Sequence, residues 1–378
     1  MKGLKGTTDD TAYFAPPAAS PRLRRIVGSI QVPLPFGPGP PGAQLLRNTR
    51  KTERGAGQFL TFLEVRAAPF ALLRDITARF GLRWLIAPKR QRVSWNKIFA
   101  VFVLAVASLA ARGQAAHRAP NPPKSPRLYI FDCGVLKPAD AKEYGFEKEQ
   151  IAVLDMSVPC FLVAHPKGTL LWDAGVIPDS DFKADGAPVT QGMSTVTRRL
   201  RPQLAAIGYH PEDIQYIAFS HYHFDHTANA NMFSASTWLV AQAERDIMFS
   251  DRQAPGSRAK HYSALKDSKT TILPAASDYD VFGDGTVIVK PAPGHTPGHQ
   301  VLFLKLHKTG PVLIAGDLYH YNEERNTDRV PTFEYNKEQS LASRAKIEEF
   351  LKASGAQLWI EHDYAANAKL KKAPAYYD

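Results

Sequence analysis

Cysteine is nearly absent from this 378-residue chain, which has only Cys133 and Cys160. That excludes a miniature scaffold built on disulfides, and the spacing fits no cysteine zinc ribbon. A long apolar run is also missing. The clearest one, Ile98 to Ala111, has about 14 residues where a membrane-spanning helix needs roughly 20. Acidic residues are scarce at one end. Residues 1–92 hold 16 Lys and Arg against 5 Asp and Glu, out of 47 and 36 in the chain, which leaves 31 of each sign in the rest. The net charge of +11 therefore sits in the first quarter. The remainder carries no electrostatic footprint for nucleic acid or an anionic membrane. No repeat recurs at a fixed period.

The basic quarter is Arg-heavy and contains the turn-rich run PLPFGPGPPG, and Pro69 interrupts its one modest helical pattern, Phe59 to Phe80. Nothing in 1–92 predicts a packed core. Residues 93–115 combine a basic flank (Arg90, Arg92, Lys97), the short apolar run and the small residues Gly113 and Ala115, which is the pattern of a secretory signal peptide. A start at an alternative codon near Val93, with 1–92 a mis-assigned extension, accounts for both features. A basic cytoplasmic tail before an uncleaved anchor is the other reading. The first implies a periplasmic or secreted protein without a stable membrane anchor, a Pro-rich linker over 116–126 and one domain over 127–378. Cys133 and Cys160 each fall in an expected buried strand, so a disulfide and two unpaired core thiols stay equally open.

Within 127–378, strand-like runs at LYIFDCG, VPCFLVAH and TLLWDAG come first, the last two joined by a turn at Lys167-Gly168. STVTRRLRPQLAAIGY has helical spacing and ends at Gly208. The strands QYIAFS, TWLVAQ, TVIVKPAPG, QVLFLKLH, PVLIAG and QLWIE follow, with a helix through KEQSLASRAKIEEFLKASG before the last. Hairpins first and strands mixed with helices later predict an α/β sandwich of sheets with helices outside.

Four strands run straight into candidate metal ligands. QYIAFS leads to His221, His223, Asp225 and His226, TVIVKPAPG to His295, PVLIAG to Asp317, and QLWIE to His362. Ligands at strand ends converge on one rim of a sheet. In extended chain His221 and His223 point the same way, and a following helical turn redirects Asp225 and His226 to a second position. Imidazole and carboxylate suit Zn²⁺, and five histidines with two aspartates are enough for two ions, with Asp317 able to bridge them.

SHYHFDH followed by PAPGHTPGH, AGD and IEHD resembles the metallo-β-lactamase superfamily over residues 127–378. The resemblance implies a single-domain αββα sandwich with two Zn²⁺, other divalent metals being possible. His221, His223 and His295 would hold one ion; Asp225, His226 and His362 would hold the other; Asp317 would lie between them. Asp173 would buttress the site from behind. The bridging aspartate differs from true β-lactamases, and His223 stands where flavodiiron oxidoreductases carry Glu. With 16 residues after His362 there is no helical extension like that of glyoxalase II.

LVAHPKGTLLWDAGV, PGHTPGHQVLF, GDLYHY and LWIEHD are most similar to the N-acyl homoserine lactonase branch. That likeness implies a zinc hydrolase opening a lactone ring by a metal-bridging hydroxide, with Asp225 returning a proton. Another ester, thioester or sulfate is the alternative substrate. Some such lactonases place a catalytic tyrosine three residues after the bridging aspartate, where this chain has His320. Tyr319 or Tyr321 is expected to serve instead. Met193, Met232, Phe233 and Phe333 are candidates for an acyl groove, and the remaining histidines, including His210, His261, His307 and His320, for surface or supporting roles.

Overall fold

The computed structural model describes residues 117–378; the basic extension 1–92 and the apolar segment 93–115 lie outside them. In chain order the strands are β1 (Arg127–Leu136), β2 (Met156–His165), β3 (Gly168–Trp172), β4 (Val189–Gln191), β5 (Ser194–Val196), β6 (Tyr216–Ala218) and β7 (Thr237–Ala241). They continue with β8 (Thr270–Leu273), β9 (Tyr279–Asp280), β10 (Val287–Pro291), β11 (Gln300–Leu306), β12 (Gly310–Ile314), β13 (Gln357–Trp359) and β14 (Tyr376–Tyr377). The α-helices are α1 (Leu200–Ala206), α2 (Phe224–Thr227), α3 (Gln242–Met248), α4 (Lys337–Ser354) and α5 (Tyr364–Asn367). No described helix is long and apolar enough to cross a membrane.

Two sheets form. One runs β4-β5-β1-β2-β3-β6-β7-β8, with β14 also on β1; the other runs β13-β12-β11-β10-β9. The period of two along each strand divides the core into layers. Leu128, Ile130, Phe161, Val163, Leu170 and Trp172 meet Val287, Val289, Leu302, Leu304, Val312 and Ile314 between the sheets. Their neighbours Tyr129, Phe131, Cys160 and Leu162 face the other way and pack with Leu200 and Leu204 of α1. On the far side Val301 and Leu313 pack on Ile347 and Leu351 of α4. The expected αββα sandwich is the observed fold.

Local chemistry explains the elements. Asn336 caps α4 by accepting the Gln339 amide at 2.9 Å, and Gly355, at φ 66°, closes it. The expected β2–β3 hairpin forms, but its turn falls one residue earlier, at Pro166-Lys167, because Gly168 already pairs with His165 as the first residue of β3. The helix expected over 194–209 is shorter. Its first residues instead form β5, folded back on β4 through Gly192 (φ 57°). There strand pairing outcompetes a helical pattern that the β-branched Thr195, Val196 and Thr197 support poorly. The two cysteines are joined, with Cα atoms 5.9 Å apart. A bulge between Asp132 and Val135 lies beside Cys133 on β1, next to Cys160 on β2.

Candidate metal centre

The site lies at the carboxyl ends of β6, β10, β12 and β13, where both sheets contribute. Asp173, at the end of β3 with φ 57°, anchors it. Its carboxylate accepts the Ser220 amide at 2.7 Å and the Ser220 hydroxyl at 3.0 Å, and it pairs with His226 Nδ1 at 2.9 Å. The chain leaving β6 is thereby fixed before it presents His221 and His223 and enters α2. A close approach fixes the opposite wall. A Cβ on Gly316 (φ 51°) would lie 2.6 Å from that of Ser220 and 2.8 Å from His299 Nε2, so only glycine lets the Asp317 turn sit there.

All seven residues expected as ligands come together, and all are buried. His221 Nε2 and His295 Nε2 lie 2.8 and 3.0 Å from His223 Nδ1, and 3.5 and 3.3 Å from Asp317 Oδ2. On the other side His226 Nε2 and His362 Nε2 lie 3.1 and 3.0 Å from Asp317 Oδ1, and Asp225 Oδ2 is 3.5 and 3.4 Å from the same two nitrogens. The Asp317 carboxylate therefore faces two groups of three, one with each oxygen.

The outer nitrogens are held from behind. His295 Nδ1 donates to Glu334 at 3.0 Å, His362 Nδ1 to the Ser157 carbonyl at 2.8 Å, and His221 Nδ1 lies 3.0 Å from Ser220 Oγ. Such partners orient imidazoles for an ion. Burial, helped by the charge of His226, holds His221 well below the ordinary histidine range, and burial with the His295 charge pushes His223 down to about 3. Asp317 is held well below the carboxylate range by the histidines around it, against the cost of burial.

The donor set fits cations. His226 Nε2 and Asp317 Oδ1 are buried without a hydrogen-bond partner, although each faces the cluster. A tetrahedron with zinc–nitrogen bonds has edges of about 3.3 Å, within the spread of the spacings above.

The two tyrosines are a correction to the sequence reading. Tyr319 turns outward under the Arg344 guanidinium and donates to Glu348 at 3.2 Å, and Tyr321 donates to the Leu154 carbonyl at 2.9 Å. Both hydroxyls are committed to protein oxygens, so neither reaches the cluster. His320, expected on the surface or in support, is buried 3.2 Å from Asp317. Burial opposes its charge, but the Asp317 and Glu324 carboxylates outweigh that and push it up to about 10.

His299 takes the supporting role expected of the remaining histidines, whereas Glu244 has no role in the sequence reading. His299 Nδ1 donates to the Ala292 carbonyl, and Nε2 accepts the Asp317 amide at 3.0 Å. Glu244 on α3 accepts from Tyr222, Thr296 and Gly298. The second histidine of PGHTPGH was a legible signal for the first; nothing local marks the second.

A cavity of about 460 Å³ opens over the cluster, walled by Leu136, Tyr144, Met193, Phe224, Ile247 and Phe333. Met193 and Phe333 are thus on the groove as expected. Met232 instead lines a separate cavity beside Asn231, and Phe233 is fully buried in the core.

Comparison with known proteins agrees with the fold. Residues 153–353 match the family profile of the Metallo-beta-lactamase superfamily. An N-acyl homoserine lactonase, AttM, of Azorhizobium caulinodans is 32% identical over 262 residues, covering 67% of this chain and 98% of the relative. An N-acyl homoserine lactonase of a Bacillus species is 30% identical over 235 residues, covering 59% and 88%. Among solved structures, a quorum-quenching N-acyl homoserine lactone lactonase superposes with a TM-score of 0.56 at 25% identity, over 66% of this chain and 97% of that one. A hydrolase with the product N-hexanoyl-L-homoserine at its catalytic metal center gives 0.55 at 25%, over 66% and 98%. By fold, by sequence and by its strand-end histidines and aspartates, this chain belongs to the metallo-β-lactamase superfamily.

Proposed function

We propose that this protein is a dinuclear zinc hydrolase that opens the lactone ring of N-acyl homoserine lactones. The observation that carries the reading is the single Asp317 carboxylate turning one oxygen to each of two buried ligand groups beneath an apolar-walled cavity. The lactonase relatives name the substrate class. His221, His223 and His295 would hold one ion and Asp225, His226 and His362 the other, with Asp317 available to both. Zinc held there would supply an activated water near neutral pH and polarisation of the lactone carbonyl.

The chain's own residues do the rest. Leu136, Met193, Ile247 and Phe333 take the acyl chain out of water, which strengthens every polar contact on the cavity floor. Asp225 lines that floor and is the group placed to carry a proton to the departing ring oxygen. Export to the periplasm or medium is the matching location, supported by the apolar segment at 98–111 and the Cys133–Cys160 bond.

The test is acid release from a panel of N-acyl homoserine lactones by zinc-loaded and metal-stripped protein, with a simple ester, a thioester and a β-lactam as controls. Metal-dependent ring opening upholds the reading. Intact lactones beside a hydrolysed control would leave the fold and overturn the substrate.

A further inference from the structure

Tyr144 comes from a single helical turn, Ala141–Tyr144, closed by Gly145 at φ 77°, whose amide bonds back to that turn. It is far in sequence from every ligand segment, yet its ring is 4% exposed and sits at the rim of the cluster. Tyr321 packs edge-on at 5.2 Å between centroids, Phe333 edge-on at 5.7 Å, and His320 lies at 5.1 Å. Three aromatic neighbours fix the ring's direction. Tyr319 and Tyr321 satisfy their hydroxyls on Glu348 and Leu154, whereas no protein group is hydrogen-bonded to that of Tyr144 among the described residues. The carboxylates that act on it electrostatically include Asp225 and Asp317, the latter shared by both ligand groups. Tyr144 lines the cavity although the residue as a whole is buried, so its hydroxyl is left for a partner there rather than for a protein group. Here the open direction is the cavity.

We propose that Tyr144 supplies the hydroxyl that hydrogen-bonds an oxygen of the substrate at the metal cluster, the task for which Tyr319 and Tyr321 are turned the wrong way. The proposal rests on the hydrolase reading above and deepens it. Tyr144 donates to the oxygen that gains negative charge as the ester bond breaks. The ring itself is positioned by packing, so removing the oxygen alone tests the idea.

Tyr144→Phe keeps the ring. Its kcat on N-hexanoyl homoserine lactone is expected to fall on the order of a hundredfold, as for loss of one donor to a developing charge. Zinc content and Tm should match the wild type, and calorimetry should show weaker binding of the ring-opened product N-hexanoyl-homoserine. Wild-type kcat and product affinity in Tyr144→Phe, with Tyr144→Ala merely less stable, would reduce Tyr144 to a packing residue and overturn the proposal. If the wild type opens no lactone, the lactonase reading falls by itself. The same pair compared on whichever control ester or thioester it hydrolyses then decides Tyr144, a lowered kcat upholding it and an unchanged one overturning it.

Discussion

The Glu244 carboxylate accepts the backbone N–H of Tyr222 at 2.7 Å, so a side chain of α3 holds the turn between His221 and His223. The same carboxylate accepts the Thr296 hydroxyl at 2.8 Å and the Gly298 amide at 2.8 Å, which fixes the loop carrying His295. One buried group thus ties the two loops that supply three nitrogens. Glu244→Ala leaves those donors unpaired and is expected to cost about 1–3 kcal/mol of stability. Zinc affinity should drop roughly 10- to 100-fold. Urea unfolding and competition with a chelator measure the two, and wild-type values for both would show the loops hold themselves.

Glu244 also predicts a pH dependence. Burial pushes its carboxyl from 4.5 up to about 7, against the pull of bonds from Thr296, Gly298 and Tyr222. The folded state therefore binds this proton more tightly than the unfolded chain. The resulting stabilisation is complete below about 4.5 and is lost as pH rises through about 7. In metal-free protein the wild type should exceed Glu244→Gln by more at pH 5 than at pH 8. A difference that stays flat across that range would place the titration elsewhere.

Asp173 touches no ion in the proposed centre, but it orients His226 and anchors Ser220. Asp173→Asn is expected to weaken zinc binding about 10- to 100-fold while leaving the cavity walls unchanged. Metal stoichiometry against chelator concentration reads the effect, and an unshifted curve counts against the anchor.

His223 presents Nδ1 to the cluster, with its ring against Gly256, where a Cβ would come within 2.5 Å. His223→Ala should remove most activity and much of the affinity for one of the two ions of the proposed centre. Full activity with two ions bound would refute the ligand assignment.

The Cys133–Cys160 bond closes a loop with a sequence separation of 27. Cutting it is expected to cost about 3–4 kcal/mol on the chain-entropy account. Reduction of the native protein, or Cys133→Ser, should lower Tm accordingly, and an unchanged Tm would mean that the β1–β2 pairing already holds the two strands.

The seven cluster residues were legible because each is a ligand type that follows a short apolar strand, and strand ends converge by geometry alone. The sandwich was legible for the same reason. The disulfide was not, because it depends on the register of β1 against β2, with Phe131 opposite Cys160, which neither strand's own pattern encodes. The tyrosines were misread because Tyr319, His320 and Tyr321 lie on irregular backbone, where neighbours outside the segment choose each direction: Glu348 and Arg344 for Tyr319, Leu154 for Tyr321. Glu244 and Tyr144 lie in stretches whose local pattern says nothing about the cluster. Only the folded chain brings them there.

The cluster draws His221, His223, Asp225 and His226 from one sheet and His295, Asp317 and His362 from the other. Neither sheet by itself offers a complete set of donors. A chain with one sheet formed and the other still unpaired is therefore a poor competitor for metal, and tight capture comes only once the two faces have docked. Metal uptake by the proposed centre should then trail the burial of Trp172 and the inter-sheet layer during refolding, which would make an ion there a latch on a finished sandwich and not a seed for it.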